Sequence, residues 1–193
     1  MSLLSKIFGK LKTKELFEAK LVILGSSGAG KTTLVKYLES GTTVVENPRT
    51  TLGIDVRSNP VKIDNWEFSV IDIGGQTLYQ KAFWNLGVSQ ADAIIYLIDG
   101  TIKTDHEKFQ ENLGQFKYML NLIEVEMPIL VMVNKQDLVE QNPMKPEEVV
   151  QAYEINTLLN RSMTLLPTSA KFGEGVDTAM QWMMEKLSEI VEF

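Results

Sequence analysis

The chain has 193 residues, 44% of them hydrophobic, a formal net charge of -6 and no cysteine. That length suits one domain with a substantial core; the missing thiols exclude disulfides, thiolate catalysis and Cys-ligated zinc. An acidic balance argues against a general nucleic-acid binder, so none is expected as a partner.

The charge is uneven. Met1 to Lys20 carries five lysines against two acids, which leaves the rest of the chain at -9. In this tail Leu3, Leu4, Ile7, Phe8 and Leu11 follow helical spacing, with Lys6, Lys10 and Lys14 between them. Such a basic amphipathic helix lies at a bilayer interface or packs its stripe on the protein body. We divide the chain into this N-terminal segment, 1–16, and one folded domain, 17–193. No apolar run approaches the ~20 residues of a membrane span, and lysines interrupt what would be the core of a signal peptide. A cytoplasmic protein peripheral to membranes is expected, and Ser2 removes the glycine that myristoylation needs.

Along the body, apolar runs read as buried strands at Ala19–Leu24, Glu67–Ile71, Ala93–Ile98, Ile129–Val133 and Met163–Pro167. Segments with helical spacing lie between most of them, for example at Thr32–Leu38, Lys108–Leu122 and Pro146–Leu158, with a last one at Val176–Val191. Alternating near-continuous apolar strands with helices indicates a parallel sheet covered on both faces. One pair breaks the alternation: the arms Gly53–Val61 and Ile63–Ile71 meet at an Asp-Asn with no room for a helix, so they form an antiparallel hairpin at the sheet edge. Pro60 fits only an edge strand or a bulge.

The first strand runs into "GSSGAGKT", Gly25, Ser26, Ser27, Gly28, Ala29, Gly30, Lys31 and Thr32, followed by Thr33. The pattern G-x-x-x-x-G-K-[ST] between a strand and a helix is a phosphate cradle. Its glycines let successive N–H groups converge on phosphate oxygens, and the helix N-terminus adds partial positive charge. Lys31 reaches the terminal phosphates, and the Thr32 hydroxyl suits Mg²⁺.

Further strand ends supply the rest. "RTTLGID" offers the Thr51 hydroxyl for Mg²⁺ and γ-phosphate. "SVIDIGGQ" offers Asp72 to hold Mg²⁺ through water, the Gly75 amide for the γ-phosphate, and Gln76 to orient an attacking water. "VMVNKQDL" places Asn134, Lys135 and Asp137 after a strand, where a parallel sheet binds ligands. A carboxylate at Asp137 accepts two hydrogen bonds from guanine and is left unpaired against adenine. The Lys135 stem can cover the base, and "TSAKFGEG" brings Ser169, Ala170 and Lys171 to the same side, with the Ala170 amide suited to the guanine carbonyl oxygen.

Taken together, "GSSGAGKTT", "TTLGID", "DIGGQ", "NKQD" and "TSAK" resemble the five signature elements of a Ras-superfamily small GTPase. "DIGGQ" with "NKQD", Trp84 fifteen residues before Asp99, and the N-terminal extension resemble the Arf/Arl/Sar-like branch. The resemblance implies a P-loop small G domain: a six-stranded, mostly parallel sheet with one antiparallel edge strand, helices on both faces and an N-terminal amphipathic helix. It implies a monomeric, Mg²⁺-dependent switch that binds GTP and GDP and hydrolyses GTP slowly without an activating protein. Catalysis would rest on Lys31 and Gln76, and exchange factors, activating proteins, effectors and a membrane would be partners. A second class of function stays open, a GTP-bound structural subunit similar to the β-subunit of the signal-recognition-particle receptor. Three departures matter: Ser27 stands in the phosphate loop, the hairpin's first arm is two residues longer than the branch pattern, and Arg49 offers a charge in cis two residues before Thr51.

Overall fold

The structure is a computed structural model that describes residues 16–44, 54–56, 60–74, 77–158 and 160–191. Among the described residues are seven strands: β1 Phe17–Gly25, β2 Ile54–Val56, β3 Val61–Ile63, β4 Trp66–Ile73, β5 Ala93–Asp99, β6 Ile129–Asn134 and β7 Met163–Pro167. Among the same residues five α-helices accompany them: α1 Lys31–Ser40, α2 Thr77–Val88, α3 Phe109–Leu122, α4 Pro146–Ala152 and α5 Val176–Val191. The parallel strands run in the order β4-β1-β5-β6-β7, and β2 and β3 both pair antiparallel with β4. The seven strands therefore fill six positions, as the sequence predicts, because β2 and β3 share one edge.

Strict alternation sorts the strands' side chains between two cores. Leu21, Ile23, Ile95, Leu97, Leu130 and Met132 face one side, under α1 and α5. Val22, Leu24, Ile94, Tyr96, Val131 and Val133 face the other, under α2, α3 and α4. Every residue of β5 and β6 is buried, which is why these strands read as unbroken apolar runs. The second core is fastened by aromatic edges: Phe116 meets Tyr96 and Tyr153 with ring centroids 5.1 and 5.4 Å apart, and Tyr153 meets Phe109 at 5.5 Å.

The edge hairpin differs from a regular pair. Val56 pairs with Ile71 and Val61 with Phe68, so the first arm advances five residues where β4 advances three. The first arm thus spends two more residues than β4 between these pairs, and Pro60, just before β3, is exposed on the free edge. Ile63 closes the first arm rather than opening the second, since Asp64 at φ 52 and Asn65 make the turn.

Two helices depart from the sequence reading. α2 is an additional helix, apolar around much of its circumference and carrying Gly87. α4 stops at Ala152 instead of Leu158 because Glu154 adopts φ 58, and only a short 3₁₀ turn, Ile155–Thr157, follows. Pro146 at its first turn and the Glu148 carboxylate, which accepts the Lys145 N–H at 2.7 Å, set its start. α3 ends against Arg161, whose guanidinium donates to the carbonyls of Leu120, Ile123 and Glu124 at 2.9, 3.4 and 3.3 Å. The expected amphipathic helix of the tail lies outside the described residues.

Candidate functional site

The described motif residues gather at the carboxyl ends of β1, β4, β6 and β7. Here the sheet stops and the chain leaves in loops whose N–H groups are not committed to a ladder. Gly25 ends β1 at φ 137, and a β-carbon there would strike the Leu97 carbonyl of the neighbouring strand. Gly30, at φ 102, opens α1, and a β-carbon would strike the Asn134 amide. Glycine is required at both places by close approach as well as by backbone angle. Between them Ala29 N–H donates to the Ser26 carbonyl at 3.2 Å, and Ser27 and Gly28 are exposed on the loop crest.

Lys31 lies beneath this loop, 6% exposed, donating to the Gly25 and Ser26 carbonyls at 2.8 Å each. Burial pulls its ammonium pKa down from 10.5 to about 8, with the nearby Asp72 charge acting in the opposite direction. The Thr32 hydroxyl donates to Asp72 Oδ2 at 2.6 Å across the gap between α1 and β4, and Thr33 is half-buried beside it. A hydroxyl and a fully buried carboxylate converging in this way form a hard oxygen donor set, which fits Mg²⁺.

Asn134 joins the two halves of the site. Its Nδ2 donates to the Ala29 carbonyl of the phosphate loop at 2.8 Å, and its Oδ1 accepts the Ala170 N–H at 2.8 Å. The Ala170 amide, expected to meet a guanine oxygen, is thus engaged with Asn134 in this arrangement. Asp137 is half-buried and makes no hydrogen bond among the described residues, so its carboxylate is open to a ligand. Ser169 is fully buried and organises its loop, accepting the Phe172 N–H on its hydroxyl at 3.4 Å and the Gly173 N–H on its carbonyl at 2.7 Å. The Lys171 carbonyl accepts the Val44 N–H at 2.9 Å, which ties the base-side loop to the chain leaving α1. His106, far from these motifs, is exposed.

Thr51, Gly75, Gln76 and Arg49 lie outside the described residues. The structure adds two contacts that the motifs do not disclose: Lys135 pairs with Asp99 at 2.6 Å, and Tyr37 of α1 packs beneath Gly173. Their partners are distant in sequence, and no local pattern announces them.

The model of the ADP-ribosylation factor family matches residues 4–187. ADP-ribosylation factor-like protein 1 of Drosophila melanogaster is 37% identical over 185 residues, covering 95% of this chain and 96% of that protein. Its namesake in Caenorhabditis elegans is 35% identical over 173 residues, covering 89% and 91%. ADP-ribosylation factor-like protein 3 of Chlamydomonas reinhardtii is 34% identical over 190 residues, covering 97% and 99%. Among solved structures, the Arl6 BBS3 small GTPase of Trypanosoma brucei, with a bound nucleotide analogue, matches with a TM-score of 0.74 at 21% identity, over 89% of this chain and 98% of that one.

Proposed function

The chain belongs to the ADP-ribosylation factor family of small GTPases and is therefore a GTP-binding switch of a GTP-hydrolysing family, and we propose how its own residues carry that activity. The observation that carries the proposal is Asn134, which fixes the phosphate loop at Ala29 to the base-side loop at Ala170 while Asp137 stays open beside it.

Guanine is selected by the Asp137 carboxylate, with Lys135, Ser169, Ala170 and Lys171 shaping the rest of the base pocket. The loop from Gly25 to Thr33 wraps the phosphates, and Lys31 exchanges its two backbone carbonyls for phosphate oxygens, which restores its full charge where negative charge gathers. Thr32 and Asp72, completed by Thr51, would hold Mg²⁺, which supplies further positive charge to the phosphates when bound. Gln76 orients the attacking water, and Gly75 and Thr51 report the γ-phosphate to the segments that contain them. Turnover is slow alone and is accelerated by an activating protein. Nucleotide analysis of the purified protein, with single-turnover hydrolysis of wild type and Gln76→Leu, tests the scheme. Bound GDP or GTP and a rate loss of roughly 100-fold in the variant are expected; bound adenine nucleotide would refute it.

The finer proposal is that the GTP state frees the basic amphipathic segment 1–16 for reversible contact with an anionic membrane, where effectors are met. The spacing of Leu3, Leu4, Ile7, Phe8 and Leu11 among lysines supports it, and among the described residues no helix is long and apolar enough to cross a membrane. Flotation with anionic liposomes should recover the protein loaded with a non-hydrolysable GTP analogue and not the GDP form. Deleting residues 1–16 should abolish that recovery, and unchanged recovery would sink the idea.

A further inference from the structure

Asp99 belongs to none of the motifs, yet it is the most heavily engaged acidic side chain beside the base pocket. It ends β5 and is 6% exposed. Its Oδ1 accepts the Thr101 N–H at 3.0 Å and the Thr101 hydroxyl at 2.7 Å, and its Oδ2 accepts the Lys135 ammonium at 2.6 Å. Burying a carboxylate is costly unless its oxygens are satisfied and a counter-ion is close, and Lys135 is that counter-ion. The charge is felt further inside the protein, at Tyr153, whose phenol is pushed up mainly by burial and secondarily by Asp99.

Lys135 is constrained at both ends. Its backbone sits at φ 67, a left-handed conformation that side chains with a β-carbon rarely adopt. Its ammonium, which on an exposed loop would sample water on a flexible four-carbon stem, is fastened to Asp99 instead. The surrounding backbone is stapled as well. Gly100 N–H donates to the Asn134 carbonyl at 3.0 Å, Met144 N–H to the Gly100 carbonyl at 2.7 Å, and Gln136 Nε2 to the Met144 carbonyl at 3.0 Å. The methylenes of Lys135 are thereby held along one path between the end of β6 and the end of β5.

We propose that Asp99 is a positioning residue for guanine recognition, stretching the Lys135 side chain into a preformed wall of the base pocket beside Asp137. The inference rests on the guanine-binding reading given above. A wall fixed before the ligand arrives spares the ordering cost at binding, and such gains are expressed mainly as slower dissociation.

The test is a double-mutant cycle on release of fluorescently labelled GDP from the full chain. Asp99→Asn keeps the side-chain volume and can still accept from Thr101, but it surrenders the charge that holds Lys135. Release should accelerate roughly tenfold. Lys135→Met keeps an apolar stem without an ammonium and should accelerate release to a similar degree. Adding Asp99→Asn to Lys135→Met should then change the rate by less than about twofold, because the two residues act as one unit. Acceleration by the same factor in both backgrounds would show that Asp99 acts on the fold and not through Lys135, and would overturn the inference. So would an unchanged rate in Asp99→Asn while the wild type holds GDP tightly. If Asp99→Asn does not fold, Lys135→Met alone decides: release at the wild-type rate overturns the proposal. A wild type that binds no GDP would refute the guanine reading itself, and the inference with it.

Discussion

The two ends of the sheet are built on different terms. At the carboxyl end Ser26, Lys31, Asp72, Asp99, Asn134, Thr168 and Ser169 are all buried, and among the described residues only Gln80 and Asn112 are polar and buried elsewhere. At the amino end Trp66 is stacked on Phe68 and meets Phe17 at a tilt, with centroids 5.7 and 5.0 Å apart, and charged contacts such as Lys62 with Glu67 stay near the surface. Burying polar groups costs free energy unless each finds a partner. One end is thus assembled for packing; the other accepts that cost to keep donors and acceptors aimed where phosphate and base arrive. Substitutions should separate the two, binding suffering at one end and stability at the other.

The largest expected effect is Lys31→Ala. Removing the cation at the phosphates should weaken GDP and GTP by about 1,000-fold, roughly 4 kcal/mol, measured by equilibrium titration with labelled nucleotide. Asn134→Ala follows, because it leaves the Ala29 carbonyl and the Ala170 N–H without their partner. Affinity should fall about 100-fold and unfolding free energy by roughly 2 kcal/mol, since buried unsatisfied groups bear their full desolvation cost. This substitution should move both readouts, and a loss of binding with no loss of stability would break the bridge assigned to Asn134.

Arg161→Ala examines the other end. The guanidinium satisfies carbonyls at the end of α3, so roughly 2 kcal/mol of stability should be lost with no change in nucleotide affinity. A change in affinity would erase the contrast between the ends.

A smaller effect, about 1.4 kcal/mol per pH unit, belongs to Lys31 itself. With its pKa lowered to about 8 by burial, the nucleotide-free protein binds fewer protons than the unfolded chain between pH 8 and 10.5. That group should therefore add stability as pH rises through this window. Nucleotide affinity should change in the opposite sense, falling about tenfold per unit above pH 8, because phosphate requires the ammonium. Titrations at pH 7, 8 and 9 check it, and Lys31→Met should flatten the profile. The smallest effect is expected at Lys117–Glu154, where side-chain exposures of 49% and 62% leave an ion pair in water. Lys117→Ala should change stability by less than about 0.5 kcal/mol in denaturant melts.

The phosphate loop, the base motifs and the alternation of the central strands were legible in the sequence because each is a local pattern: glycines at fixed offsets, a short acid-bearing run, an unbroken apolar stretch. α2 was not, since Gly87 stands inside it and its polar stripe, Thr77, Lys81 and Asn85, is narrow. The early end of α4 was hidden because Glu154 adopts a left-handed backbone that glycine or asparagine would have announced. Asp99 with Lys135, 36 residues apart, and Arg161 against the end of α3 are products of topology, so no window along the chain contains both partners.

The edge hairpin shows which end of a strand decides its facing. A strand shows its two sides in turn, and the two-residue turn at Asp64 and Asn65 fixes which side of β3 is buried, whatever the length of chain before it. Val61 is thereby buried opposite Phe68 and Lys62 exposed opposite Glu67. One residue added to that turn or removed from it would drive the lysine toward the core and turn the valine outward. A single deletion at the turn should therefore be more damaging than a single deletion between Val56 and Val61, where only the register of β2 is at stake.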